Sequence, residues 1–167
     1  LASMLSAGVR VGLGSDSVAS NNTCDMLEEA RFALLTSRAA GDTLGVKPEA
    51  GYEGEFKTEL EGGRMVDASD ALRMMTRGGA EAMNMRSLTG ALAEGLAADL
   101  VAVRLDAAHQ TPAYDPAAAL VFSSSGRDVL LTVVAGREVF RDGRVTTLDE
   151  DELRARVLDL ARRLAAT

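Results

Sequence analysis

Histidine occurs once, as His109, and cysteine once, as Cys24; there are three prolines and no tryptophan in 167 residues. A catalytic zinc site takes about three protein ligands drawn from His, Cys and carboxylates. One histidine cannot build a histidine-rich site, so a function that needs one draws on residues outside this sequence. A lone cysteine forms no internal disulfide, the pattern of a reducing compartment, and the expected location is the cytoplasm. The apolar runs fall far short of the ~20 residues that span a bilayer, so no transmembrane helix is expected. No basic stretch precedes an apolar one at the start, so no signal peptide is visible. Basic charge is also scarce: 18 Lys and Arg stand against 25 Asp and Glu, a net charge of −7. With no basic cluster, neither nucleic acid nor an anionic membrane is an expected partner.

What remains is ordinary globular composition, 47% hydrophobic and 26% charged. The length fits one domain or slightly more, and a chain of this size buries roughly 70% of its unfolded surface. The opening LASMLSAGV reads as the end of a helix stopped by Gly8, as in a chain entered in the middle of a domain. Residues 9–14, VRVGLG, have the length and β-branching of a buried strand. The polar loop SDSVASNNT follows, then a helix over DMLEEARFALLTSRAA. On it Met26, Ala30, Ala33 and Ser37 share a face that Leu27, Leu34 and Leu35 widen, and Asp25, Glu28 and Glu29 favour its first turn. This is a strand–loop–helix unit of α/β type.

Residues 41–66 hold six glycines, Pro48 and a run of charges without a period, which predicts a mobile surface loop or insertion. A second helix begins near Asp67, with Asp70 at capping-box spacing and an apolar face of Ala71, Leu72, Met75, Ala82 and Met83. Gly78-Gly79 inside it costs about 1 kcal/mol per residue against alanine, so the pair implies close packing on another element. From Ala98 the period changes to two. DLVAVRL, ALVFSS, VLLTVVAG and REVFRDGRVT read as antiparallel strands, with Gly136-Arg137 and Asp142-Gly143 as turns. An amphipathic helix with Leu153, Val157, Leu160 and Leu164 on one face ends the chain. A parallel strand is buried on both sides and needs neighbours, so the first ninety or so residues read as the tail of a larger parallel-sheet domain.

Chemistry concentrates at Gly12-Leu13-Gly14-Ser15-Asp16-Ser17. A carboxylate at the C-terminal end of a barrel strand can bind a metal or move a proton; the plainer role is to cap the loop or the next helix. A dinucleotide-binding turn fails, because Ser17 stands where the third glycine belongs and Asp16 puts negative charge where a pyrophosphate sits.

GVRVGLGSDSVASNNTCDMLEEARFALL resembles the last barrel strand and helix of the amidohydrolase superfamily, in the branch of S-adenosylhomocysteine/5-methylthioadenosine deaminases and chlorohydrolases. DALRMMTRGGAEAMNM, GALAEGLAADLVAVRLD, AAHQTPAYDPAAALVFSSSGRDV and VVAGREVFRDGRV extend the resemblance over nearly the whole chain, apart from 41–66. It implies an α/β fold: the C-terminal fragment of a metal-dependent β/α (TIM-like) barrel over 1–89, an antiparallel β-sandwich segment over 90–148, and a terminal helix over 149–167. It also implies one divalent metal, zinc or iron, held by a His-x-His pair, further histidines and an aspartate on the last strand. Asp16 matches that aspartate, which binds the metal and takes a proton from the water on it. The implied reaction is hydrolytic deamination of an adenosine-like heterocycle. Chlorohydrolase and guanine- or aminofutalosine-type deaminase activities share these residues. The histidines and an upstream acid would precede Leu1, so the 167 residues alone are expected to be inactive; a non-catalytic scaffold or binding module is the alternative. A small-molecule substrate is expected, and a homo-oligomer is possible by analogy with the family.

Ser15 and Ser17 flank Asp16 and serve either as donors that orient its carboxylate or as ordinary turn residues. Asn21 and Asn22 suit substrate contact or loop and capping duties. His109, in a polar loop, reads as a structural or surface histidine. Cys24 has no visible partner base and reads as a bystander.

Overall fold

The computed structural model of the chain describes residues 1–44 and 64–165. Most of the predicted insertion 41–66 therefore lies outside the described residues. Its two ends meet as an antiparallel pair, β1 (Thr43–Leu44) with β2 (Arg64–Met65). The opening segment is helical, as expected: α1 (Ala2–Ser6) stops at Gly8, whose φ of +75° is the left-handed conformation of a helix stop.

Asp42 holds the start of α1. Its carboxylate accepts from the Leu1 ammonium at 2.6 Å, the Ala2 and Ser3 amides at 2.5 and 3.0 Å, and Ser3 Oγ at 2.6 Å. Burial works against the charged form, but these donors outweigh it and bring the pKa down to about 2 from 3.8. The stability so gained is fully present above pH ~3.8 and is lost as pH falls through about 2. In the 167-residue chain, Asp42→Asn should cost about 2 kcal/mol at neutral pH. Urea midpoints of parent and variant should converge as pH drops from 4 toward 2.

The helix after the polar loop is α3 (Met26–Ala39); a single turn, α2 (Val18–Asn21), precedes it. Asp25 caps α3 by accepting from the Leu27 and Glu28 amides, and its other oxygen accepts from the Gly126 amide at 2.7 Å. Leu27, Ala30, Leu34 and Ser37 form the buried face, while Leu35 stays half exposed. The next helix carries the predicted Asp67/Asp70 capping box and runs through α4 (Ala68–Arg73), a π turn at Met74–Gly78 and α5 (Gly79–Ala82). A π turn adds a residue to the ladder and rotates the following face. Ala68, Ala71 and Met74 are buried up to the turn and Ala80 after it, whereas Ala82 and Met83, expected on the apolar face, are exposed, Met83 by 71%.

Two strand expectations are corrected. Residues 9–14 form no strand; Val9 and Gly12 are exposed, and the segment's backbone bonds go to helices, Val9 N–H to the Met4 carbonyl at 3.0 Å and Leu13 N–H to the Met74 carbonyl at 3.3 Å. A parallel strand needs a parallel neighbour, and none exists among the described residues. ALVFSS is no strand either but is helical up to Ser123: α6 (Pro116–Ala118) leads into a π turn over Ala119–Ser123. Asp115 caps the Ala117 amide and Pro116 takes the first helical position, a start signal that overrides the apolar run. Arg31 fixes this turn to α3 by donating to the Val121 and Ser124 carbonyls at 3.0 and 2.6 Å. Val121 thereby joins Ala2, Ala30, Leu34, Val66, Ala68, Ala71 and Met74 in one core.

The remaining strands are antiparallel, as predicted. β3 (Leu100–Val103), β4 (Val129–Val134), β5 (Arg137–Arg141) and β6 (Arg144–Val145) form one sheet in that order. Ala135-Gly136 and Asp142-Gly143, all at positive φ, make its tight turns. Asp99 pins the sheet to the preceding loop, accepting from Thr89 Oγ1 and the Ala135 amide, both at 2.6 Å. Those bonds, Thr89 first, hold its carboxyl below the usual range. Besides the short β1–β2 pair, this is the one sheet among the described residues, and no sandwich partner for it is among them. The last helix, α7 (Glu150–Ala165), is exposed on every side, Leu153, Val157, Leu160 and Leu164 included. No helix among the described residues is long and apolar enough to cross a membrane.

Candidate functional site

Segment 9–14 delivers Asp16 to an exposed loop end, at a φ of 54°. Left-handed backbone is uncommon for residues other than glycine, although aspartate and asparagine tolerate it. Asn22, at φ 70° and ψ −40°, and Cys24, at φ 50°, also stand at positive φ within the same loop. Such a concentration marks a backbone held by its surroundings, a frequent feature of functional sites.

The carboxylate of Asp16 is oriented by a residue the sequence reading missed. Ser20 Oγ lies 2.9 Å from Asp16 Oδ2 and 3.0 Å from the Ser17 carbonyl oxygen, and its one proton is shared between these two acceptors. Oδ1 takes no hydrogen bond among the described residues. The available signal was spacing: once α2 closes its single turn, a serine four positions after Asp16 comes back over it.

The flanking serines do other work. Ser15 Oγ lies 3.4 Å from the Asp16 carbonyl oxygen, a long contact, and Ser17 is the residue before α2, without a side-chain capping bond. Neither donates to the Asp16 carboxylate. Asn21 is engaged in the loop itself. Its Nδ2 donates to Glu29, and its Oδ1 accepts from Thr23 Oγ1 and the Cys24 amide, both at 3.1 Å. Asn21 thus ties the loop to the first turn of α3. Cys24 is exposed.

His109 stands apart from this loop in sequence and bonding. It pairs with Asp128 at 3.2 Å on the surface. Burial opposes the Asp128 charge, but the Ser125 amide and His109 together hold its pKa below the ordinary value. Among the described residues no group of three or more His, Cys, Asp or Glu side chains is placed to hold a metal ion. Asp16 fits as one oxygen donor of such a site, and the described residues do not complete it.

Residues 1–139 match the sequence model of the amidohydrolase family. The chain belongs to the amidohydrolase family. Among its amidohydrolase relatives, a 5-methylthioadenosine/S-adenosylhomocysteine deaminase from Desulforudis audaxviator is 37% identical over 161 residues, covering 96% of this chain and 33% of the relative. One from Haloarcula marismortui is 35% identical, covering 95% of this chain and 32% of its own. Solved amidohydrolase relatives agree. A zinc-bound adenosine deaminase from Xanthomonas campestris superposes with a TM-score of 0.79 at 25% identity, covering 98% of this chain and 33% of that one. Atrazine chlorohydrolase from Arthrobacter aurescens, complexed with zinc, gives 0.75 at 31%, covering 93% and 30%. The chain spans about a third of the length of the curated relatives it matches.

Proposed function

We propose that the protein carrying this sequence is a metal-dependent hydrolase that deaminates an adenosine-like heterocycle, with Asp16 as metal ligand and proton carrier. The observation that carries the reading is Asp16: an exposed carboxylate at left-handed φ, one oxygen oriented by Ser20 and the other open, in an amidohydrolase whose relatives include deaminases by name. A divalent cation, zinc by analogy with the solved relatives, supplies when bound an acidified water nucleophile. The remaining ligands come from outside the described residues. Asp16 accepts the proton of the attacking water and passes it to the departing amine, so that oxygen replaces nitrogen on the ring carbon and ammonia leaves. Ser20 holds the carboxylate in one rotamer for both transfers. Ser15, Ser17 and Asn21 shape the loop around it. On this reading residues 1–89 belong to the barrel, 90–148 to the smaller β domain and 149–167 to a terminal helix. The substrate is a small molecule, and self-association belongs to the same proposal.

The test is an assay of the native polypeptide, as its source makes it, after zinc loading. Ammonia should be released from 5-methylthioadenosine or S-adenosylhomocysteine, cease on chelation and return with zinc. Chloride release from atrazine without ammonia from either nucleoside would favour the chlorohydrolase alternative. Ammonia from guanine or an aminofutalosine alone would favour those deaminase alternatives, and absence of every product from a zinc-loaded protein would leave the binding-module reading in place of catalysis.

A further inference from the structure

Segment 9–14 reaches Asp16 across the paired glycines Gly78 and Gly79. The Val11 carbonyl faces Gly78, where a Cβ would stand 2.7 Å from that oxygen and 3.0 Å from the Arg73 carbonyl oxygen. Gly12 faces Gly79, and a Cβ on Gly12 would stand 2.8 Å from Gly79 Cα. Leu13 donates its amide to the Met74 carbonyl. The main chains of three consecutive residues thus meet one stretch of helix directly, while the Val11 and Leu13 side chains pack on the core beside it. That stretch is the π turn Met74–Gly78 and the residue after it. Two backbones in contact cannot yield as a flexible side chain would, so the contact fixes the height and direction of the segment. Asp16 follows three residues after Leu13, on the same run of chain. π turns are rare and occur frequently at functional sites.

We infer that Gly78 is a positioning residue for Asp16: its missing side chain lets the segment sit on the π turn at the depth that aims the carboxylate. The inference rests on the reading of Asp16 given above. Gly79 supplies an internal control. A Cβ there meets only the Met74 carbonyl oxygen, at 3.4 Å, an ordinary contact. Gly78→Ala and Gly79→Ala bring the same gain in helix propensity, but only the first collides with the segment.

Both variants are made in the native polypeptide beside Asp16→Asn, with kcat, KM, zinc affinity and melting temperature measured for each. Gly78→Ala should lower kcat about 10- to 100-fold, the scale of an ångström-sized misplacement, and leave KM within about threefold because the displaced group is assigned to proton transfer rather than to substrate binding. Its zinc affinity should fall by roughly tenfold or more, as when a ligand loses its support. Gly79→Ala should keep parental kcat and zinc affinity. A Gly78→Ala protein that melts earlier but retains parental kcat and zinc affinity below its melting temperature would overturn the inference, since the glycine then serves the fold only. Should Gly78→Ala not fold, Gly12→Ala makes a comparable collision from the segment's side without touching the helix, and parental zinc affinity there overturns it as well. Failure of both to fold has the same consequence. Asp16→Asn at parental activity removes the functional reading and this inference together; an inactive Asp16→Asn beside an active Gly78→Ala removes this inference alone.

Discussion

Asp16→Asn in the native, zinc-loaded polypeptide should lower kcat for deamination by ~10²–10⁴-fold, the range assigned to a positioned acid or base. The amide has nearly the shape of the carboxylate and can still accept from Ser20 Oγ, so the loop is retained. It cannot take a proton at neutral pH, and it carries no charge to hold a cation. Both roles are lost while binding of the heterocycle is largely kept, so kcat rather than KM carries the effect. Zinc content should fall as well, because a neutral amide oxygen is a weaker ligand than a carboxylate. Ser20→Ala should move in the same direction with a smaller effect, since it frees the carboxylate to rotate without removing it. Retention of kcat within about twofold by Asp16→Asn would sink the proposed role.

Leu34→Ala should destabilise the 167-residue chain by about 3 kcal/mol, within the 2–5 kcal/mol seen for emptied leucine sites. Leu34 is fully buried, among Ala2, Ala30, Val66, Ala68, Ala71, Met74 and Val121. Four of these seven neighbours are alanines, whose Cβ atoms are fixed by the backbone and cannot swing into a vacated space. The cavity therefore persists and its full cost is felt. For a chain of this size, that loss corresponds to a melting temperature lower by roughly 10 °C. Leu35→Ala, one position on, removes the same atoms from a residue 47% exposed; away from the core, its cost should stay near the ~0.5 kcal/mol typical of surface changes. Urea titrations with unchanged m-values separate the two. Equal midpoints for the two variants would contradict the buried face assigned to α3.

Much of the local structure was legible in the residues. Asp25 with Glu28 and Glu29 marked the start of α3, and Asp67 with Asp70 that of α4, because capping uses side chains a few positions away. Asp142-Gly143 marked a hairpin because two left-handed residues suit few other types. Gly78-Gly79 pointed to a close approach, and the approaching element is segment 9–14. The strand expected there is absent because a ladder depends on a neighbour, not on β-branching alone. Met83 was assigned inside because a uniform 3.6-residue period was carried across the π turn.

The sequence by itself determined where α3 and α4 start, the antiparallel hairpins, the family resemblance and the carboxylate at the candidate site. Each of these rests on residues close together in the chain, or on a pattern compared position by position. The tertiary structure alone decided that Ser20 orients Asp16, that Asp25 also holds Gly126, that Arg31 holds the turn at Val121, and that a main-chain seat carries segment 9–14. Most of these contacts join groups far apart in sequence, and Ser20 reaches Asp16 only once α2 has closed. Their partners are chosen by how helices pack, which no local period encodes.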